Sequence, residues 1–353
     1  MQLTYLISQD YARTTGGWIY NERLLRELAA LGWRITRVEL PAGFPDPDAR
    51  ALAAALDRVT SLPPGALILA DQVCLSPLAA WMQAEAGNHR FAMIVHHPQI
   101  LEGSRPAEVA TRLDAAERAA MAAADLVIAT SPLTARQVLA VYPVTRERLV
   151  VAEPGTDVYP PSPGSGGHAV HLVSLGSVIP RKRHELIVAA LAGLKDLDWR
   201  LSVAGSLTMV PEHAEKLRAL IAAGGLVDRV KLLGAVSGAD AEALWQSADV
   251  YVAASAHEGY GMAVAEAVAR QVPVVTTFSG AVGEWMPREA GVVVESDDVA
   301  AMAAALKGVI VDAGARARLR AGAAAARAGL ATWAETAGKV DAGLRGVRAS
   351  GSV

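Results

Sequence analysis

Two glutamates eight residues apart, Glu258 and Glu266, lie in the loop "AHEGYG" and in the helix-like, otherwise apolar stretch "MAVAEAVA" that follows it. An ionised carboxylate in an apolar setting is costly unless something pairs with it. A carboxylate about one and a half turns into a helix leans back toward the N-terminus. From there it could accept two hydrogen bonds from a vicinal diol such as a ribose. The plain alternative is also concrete: Arg270 stands at i+4 from Glu266, the spacing of an ordinary helix ion pair. Glu258 could likewise only cap or close its loop. Gly259, Tyr260 and Gly261 complete that loop. The glycines permit close backbone approach, and a helix starting near Met262 offers N–H groups to an anion.

Three further stretches could do chemistry. In "VSLGSVIPRKRHELIVAAL", Arg181 and Lys182 precede a helix. Two cations beside a helix N-terminus suit a diphosphate, while the alternative is a solvated basic run that includes Arg183. In "TTGGWIYNERLL", Gly16 and Gly17 fall between the first strand and the first helix, where a nucleotide phosphate often meets backbone N–H groups. The pattern is neither GxGxxG nor a P-loop, and a simple turn explains it as well. In "AMIVHHPQILEG", His96 and His97 close a strand. Adjacent strand side chains face opposite ways, so a shared metal is not expected. One of the two could donate a hydrogen bond at a reacting centre, or simply pack against a backbone carbonyl. No Cys or His spacing suggests zinc, "DPDA" at 46–49 and "SDD" at 296–298 read as turn or cap chemistry, and no G-x-S-x-G elbow is present.

The elements that must position these residues are legible as alternation. Short β-branched runs, "LTYLI", "RITRVEL", "ALILAD", "FAMIVHH", "DLVIATS" and "RLVVAEPG", alternate with alanine- and leucine-rich helical stretches. The Pro/Gly/Ser-rich stretch 156–169, "TDVYPPSPGSGGHA", reads as a linker, after which six more such runs follow up to "GVVVES". Nearly continuous apolar runs suit strands buried on both faces of a parallel sheet. The expected architecture is therefore α/β, two doubly wound Rossmann-like domains joined by a hinge. The expected bounds are 1–160, 161–325 and a terminal helical segment, 326–353, packing back on the N-terminal domain. Ligands of such sheets bind outside the carboxyl ends of the strands, so two sheets facing across a hinge would enclose a cleft.

Composition bounds the function. With 353 residues, 52% hydrophobic and 20% charged, the chain is long and apolar enough for two well-packed cores. A formal charge of −3 gives no support to nucleic-acid binding. A single cysteine, Cys74, allows no internal disulfide and fits a reducing compartment. The start "MQLTYLISQDYART" lacks the form of a secretory signal, and no run of 18 apolar residues occurs, so a cytoplasmic protein is expected.

In order along nearly the whole chain, "TTGGWIYNERLLRELAALGW", "AEPGTD", "LGSVIPRKRHELIVAAL", "VKLLGAVSGADAEALWQSADVYVAAS", the Glu-x7-Glu of "EGYGMAVAE" and "QVPVVTTFSGAVGEW" resemble glycosyltransferase family four, retaining nucleotide-sugar enzymes of GT-B fold. The resemblance implies that Arg181 and Lys182 bind the donor diphosphate, that Glu266 holds the ribose hydroxyls, and that Glu258 faces the donor sugar and anomeric centre. It implies that Gly16 and Gly17 approach the phosphate from across the cleft. It matches His96, through the His-x-Pro spacing of "HHP", to a histidine at the reacting sugar, with His97 as the alternative. The implied reaction moves a hexosyl unit from a UDP- or GDP-sugar to a hydroxyl on a glycan, lipid or small molecule, with no metal and no further cofactor. Lipid acceptors are common among similar enzymes, and the arginines of "SRPAEVATRLDAAERAAM" raise the expectation of peripheral contact with the inner membrane face. An epimerase, a phosphorylase, a hydrolase using the two glutamates, and a nucleotide-sugar-binding protein without turnover are the alternatives. Two departures from the family pattern stand out: Tyr260 where Phe is common, and Arg183 where glycine commonly follows the lysine.

Overall fold

Leu172 and Val173 are neighbours on one strand, and both are fully buried, each in a different apolar layer. The same alternation recurs at Val250 and Tyr251, and at Val275 and Val274. A strand whose successive side chains point to opposite faces needs apolar residues throughout when both faces are covered. That is why these runs lack a polar alternation.

The computed structural model describes residues 1–9, 15–102 and 106–349. Thr14 of the glycine-pair stretch, Ser104 and Arg105 of the arginine-bearing stretch, and residues 350–353 lie outside the described residues. By their contacts the described residues form two compact units. One contains β1, Gly17–Gly155 and 331–349; the other contains Thr15, Gly16 and Thr156–Leu330.

The first unit carries β1 (Gln2–Ser8), β2 (Arg34–Leu40), β3 (Leu67–Asp71), β4 (Arg90–Val95), β5 (Leu126–Ala129) and β6 (Leu149–Val151). All pairs are parallel, in the order β2-β1-β3-β4-β5-β6. Its helices are α1 (Gly16–Ala30), α2 (Ala49–Thr60), α3 (Gln72–Leu75), α4 (Ala79–Ala84), α5 (Ala107–Ala123) and α6 (Pro132–Val141). Ala55 and Val59 of α2, Trp81 and Met82 of α4, and Ala120 and Met121 of α5 pack on one face of the sheet. The β2 run "RITRVEL" departs from the double-sided rule, since it is an edge strand whose charged residues face solvent.

The second unit carries β7 (Val170–Leu175), β8 (Trp199–Ala204), β9 (Val230–Gly234), β10 (Val250–Ala253), β11 (Val274–Thr277) and β12 (Gly291–Val294), again all parallel, in the order β12-β11-β10-β7-β8-β9. Its helices are α7 (His184–Ala192), α8 (Pro211–Ala223), α9 (Gly238–Gln246), α10 (Met262–Ala269), α11 (Ala281–Trp285), α12 (Val299–Val311) and α13 (Ala313–Ala326). Helices α7, α8 and α12 cover one face; α9, α10 and α13 cover the other. One carboxylate of each stretch read as turn or cap chemistry is a helix cap: Asp48 accepts from Ala51 N at 2.7 Å and Asp298 from Ala301 N at 2.8 Å.

Two sequence expectations need refinement. The segment 156–169 forms no helix or strand, yet it is not a loose tether. Ser162 donates its N–H to Arg270 O at 2.8 Å and its hydroxyl to Trp245 O at 2.8 Å, and Ser165 N donates to Asp249 Oδ1 at 3.0 Å. The expected terminal segment 326–353 holds, among its described residues, one whole α-helix, which begins only at Trp333. Helix α13 packs in the second unit, and α14 (Trp333–Ala349) lies against β4, β5 and β6 of the first.

Candidate functional site

In a sheet of order β12-β11-β10-β7-β8-β9, the chain leaves β7 toward β8 on one side and returns to β10 on the other. The loops after β7 and β10 therefore diverge and leave a crevice at the carboxyl end, the usual ligand position in such sheets. Arg181 and Lys182 follow β7, and Glu258 follows β10. Topology alone brings residues 76 positions apart side by side.

Arg181 and Lys182 sit on a 3₁₀ turn, Pro180–Lys182, and not directly on the helix. Arg183 then takes a left-handed backbone, φ 50°, before α7 begins at His184. A side chain bearing Cβ is strained there. Here Arg183 is bound to Asp297 through two nitrogens, at 2.7 and 3.0 Å.

Lys182 Nζ donates to Glu258 Oε1 at 2.5 Å, and Ser255 Oγ donates to the same oxygen at 2.6 Å. Arg181 donates to His257 O at 2.7 Å and lies 3.9 Å from Glu258 Oε2. Burial by itself would raise the Glu258 carboxyl; the Lys182 and Arg181 charges and the two hydrogen bonds outweigh it and lower the group to about 2. Glu258 is thus an anion at neutral pH, and the residues that the resemblance separates into diphosphate and sugar roles form one cluster. Ser255 was missed by the sequence reading, although it closes the run "DVYVAAS", where the carboxyl-end rule points.

Helix α10 opens at Gly261, whose φ of 94° and whose approach to Val282, 2.2 Å from where a Cβ would stand, exclude any side chain. No side chain caps this helix start. The Tyr260 ring is buried, stacked on Trp285 at 5.2 Å, and Trp285 Nε1 donates to Tyr260 O at 2.6 Å. This packing fixes the loop from beneath.

Glu266 lies four residues into α10, with its side chain 28% exposed. Its Oε1 accepts from Arg270 Nε at 3.1 Å, so the i+4 pair weighed above exists. Arg270 is itself buried and donates to both oxygens of Glu242, at 3.0 and 2.7 Å. Burial raises the Glu266 carboxyl, Arg270 opposes the rise, and Glu242 and Asp157 add to it.

Gly16 and Gly17 are the first residues of α1 rather than a loop before it. Strand β4 ends at Val95, so His96 and His97 lie just beyond it and strand alternation does not govern them. His96 is fixed by its surroundings. Its Nε2 stands 3.1 Å from Asp71 Oδ2, its ring meets the Tyr20 ring edge-on at 5.3 Å, and its carbonyl accepts from Thr130 Oγ1 at 3.2 Å. Asp71 also accepts from Asn21 Nδ2 at 3.3 Å. His97 contributes its carbonyl, which accepts from Gln72 Nε2 at 2.5 Å. Asp71 was not singled out in the sequence, though it ends the apolar run "ALILAD" at a strand's carboxyl end. Of the arginines read as lipid contacts, Arg112 pairs with Asp46 at 2.6 Å, and Arg118 lies 3.5 Å from Asp114. Among the described residues no helix is long and apolar enough to cross a membrane.

The two parallel six-stranded sheets with helices on their faces are the GT-B fold. Sucrose-phosphate synthase (tll1590) from Thermosynechococcus elongatus has the same fold, with a TM-score of 0.83, 21% identity and 99% of each chain covered. Anabaena Alr3699/HepE, solved in complex with UDP and glucose, gives a TM-score of 0.80 at 18% identity, over 98% of this chain and 100% of that one. Residues 169–312, which hold Arg181, Lys182, Glu258 and Glu266, match the family model of glycosyl transferases group 1. A D-inositol 3-phosphate glycosyltransferase of Salinispora tropica is 30% identical over 257 residues, 65% of this chain and 52% of that protein. The lipopolysaccharide core biosynthesis mannosyltransferase LpcC of Rhizobium leguminosarum bv. viciae is 34% identical over 178 residues, 46% of this chain and 49% of that one. The chain spans about half the length of the curated relatives it matches. Over residues 169–312 the chain is thus similar to glycosyl transferases group 1, and its relatives over longer stretches are glycosyltransferases.

Proposed function

We propose that this protein transfers a hexosyl unit from a UDP- or GDP-sugar to a hydroxyl on a glycan, lipid or small molecule, with retention at the anomeric carbon and without a bound metal. The observation that carries this reading is the Arg181–Lys182–Glu258 cluster at the switch point of the second sheet, beside the uncapped start of α10. As the bond from anomeric carbon to β-phosphate oxygen breaks, negative charge grows on the diphosphate. Arg181, Lys182 and the α10 N–H groups stabilise it most at that point. Lys182 has three donors, enough for Glu258 and a phosphate oxygen together. Glu258, ionised well below neutral pH, acts as an electrostatic partner of the positive anomeric centre and not as an acid. The acceptor proton then passes to the departing phosphate oxygen. His96 orients the sugar, and Gly16 and Gly17 contribute backbone N–H groups to phosphate binding.

Calorimetric titration of UDP, GDP and ADP into the metal-free protein and into Glu266→Ala tests the donor site. One nucleotide is expected to bind and to lose about tenfold in the variant, near 1.4 kcal/mol. No binding, or equal binding by the variant, sinks the assignment. Retention is read from the anomeric coupling constant of the product, and metal independence from an unchanged rate in EDTA. A cytoplasmic site of action with peripheral contact to the inner membrane face through residues 104–121 is a secondary proposal; failure to float with anionic vesicles removes the membrane contact.

A further inference from the structure

Arg270 is unusual among the charged side chains of the second unit, because nearly every direction around its guanidinium is occupied. It is 3% exposed. Two of its nitrogens meet the two oxygens of Glu242 in a fork, at 3.0 and 2.7 Å. A bidentate pair of this kind fixes the guanidinium plane as well as its position. The Tyr159 ring lies against that plane, with its centroid 3.8 Å from the guanidinium carbon, and Trp245 stands at 5.6 Å. Tyr159 belongs to the segment that Ser162 fastens to the ends of α9 and α10. Glu242 is further held by Gln246 Nε2 at 2.7 Å.

With Nη1 and Nη2 committed to Glu242, Arg270 meets Glu266 from the side, Nε and Nη2 both standing 3.1 Å from one oxygen, Oε1. The second Glu266 oxygen has no such contact from Arg270, and the side chain keeps its partial exposure. One cation is shared by two carboxylates, so Glu266 keeps much of its negative charge. An Arg at i+4 with its fork free would instead take both oxygens of Glu266, leaving little for a ligand.

We propose that Glu242 and Arg270 act together as a positioning device that presents Glu266 one-sided to a vicinal diol, so that discrimination for ribose depends on a carboxylate, Glu242, outside the binding site. The inference rests on the reading of Glu266 as the diol acceptor and adds the residues that make it one. Arg270 and Glu242 are positioning residues; neither needs to touch the ligand.

The test uses Glu242→Ala and Glu242→Gln in the full chain. Glu242 is 44% exposed on its side chain, and thermal melting verifies that both variants fold. Affinities are measured for UDP against 2′-deoxy-UDP and for GDP against 2′-deoxy-GDP. The unmodified protein is expected to prefer the ribonucleotide of one pair by about tenfold, the scale of a hydrogen bond to a charged group. Glu242→Ala is expected to lose most of that preference by weakening the ribonucleotide alone, with Glu242→Gln intermediate. A merely structural loss would weaken both members of the pair alike. Equal preference in the unmodified protein and Glu242→Ala, with Glu266→Ala still impaired, overturns this inference and leaves the donor site standing. No preference in the unmodified protein, or none lost in Glu266→Ala, overturns the diol reading itself and this inference with it.

Discussion

Glu117 offers a sharp test of the electrostatics of the first unit. It lies on α5 and is wholly buried, at 0% exposure. Its Oε2 accepts the Tyr142 hydroxyl at 2.6 Å and the Gln99 N–H at 3.1 Å. Burial pushes the carboxyl from 4.5 up to about 7, against the pull of those two hydrogen bonds and with a small push from Asp114. The native protein therefore binds a proton that the unfolded chain has released between about pH 4.5 and 7. The stability this group contributes is fully present below the lower value and is lost as pH rises through the upper one. About two and a half pH units at 1.36 kcal/mol each give a loss of about 3 kcal/mol. Glu117→Gln keeps an oxygen for Tyr142 and Gln99 and removes the charge. Its second amide hydrogen lacks an obvious acceptor, a constant cost of about 1 kcal/mol at every pH. Urea unfolding of both proteins from pH 5 to 8.5 isolates the effect, because other titrating groups cancel in the difference. The variant is expected to gain about 2–3 kcal/mol on the parent across that range. A difference constant within about half a kcal/mol, or one that moves the other way, refutes the reasoning. Exchange of the Gln99 amide, which begins the turn after His97 and Pro98, supplies a readout local to Glu117.

Other outcomes follow from the same structure. Gln271 closes α10 with a left-handed φ of 58°, so Gln271→Gly is expected to raise stability by about 0.5–1 kcal/mol, read as a higher melting temperature; an unchanged or lower value shows that the Gln271 side chain offsets its strain. Asp71→Asn removes the charge beside His96 Nε2 and is expected to slow transfer at least about tenfold while leaving nucleotide affinity unchanged; an unaltered rate and pH profile would deny the pair a part in the reaction. Glu258, lowered to about 2, contributes stability that is present above the ordinary 4.5 and lost as pH falls through the lower value, so Glu258→Gln is expected to flatten the acid side of the stability profile, and an unchanged acid limb contradicts the Lys182 pairing.

Much of the molecule is legible in the chain, for a local reason. A doubly covered strand must be apolar at consecutive positions, so β7 and β10 appear as runs wherever they lie in the final sheet. The Glu-x7-Glu spacing is likewise local, since a loop and the helix after it hold both residues. The ring of partners around these residues is not local. Glu242 reaches Arg270 across 28 residues, Lys182 reaches Glu258 across 76, and Asn21 reaches Asp71 across 50. No periodicity carries such pairings, because they depend on strand order, and strand order is chosen by how whole layers pack. The strand-end rule could have flagged Ser255 and Asp71, each of which closes an apolar run. It could not have flagged Glu242, an ordinary exposed-looking glutamate on α9, or Glu117, whose burial follows from the turn that covers it.

The class of fold, the two-part organisation and the adjacent cations Arg181 and Lys182 can be read from the chain alone, because hydrophobic pattern and residue type are properties of neighbours along it. That Lys182 pairs with Glu258 and that Arg270 divides itself between two carboxylates is set by the folded arrangement. Those facts arise where the β7 and β10 loops part at the sheet's switch point, and where α9, α10 and the segment before β7 meet. Hydrogen bonds act over about 3 Å, so only the assembled layers can say which charges come that close.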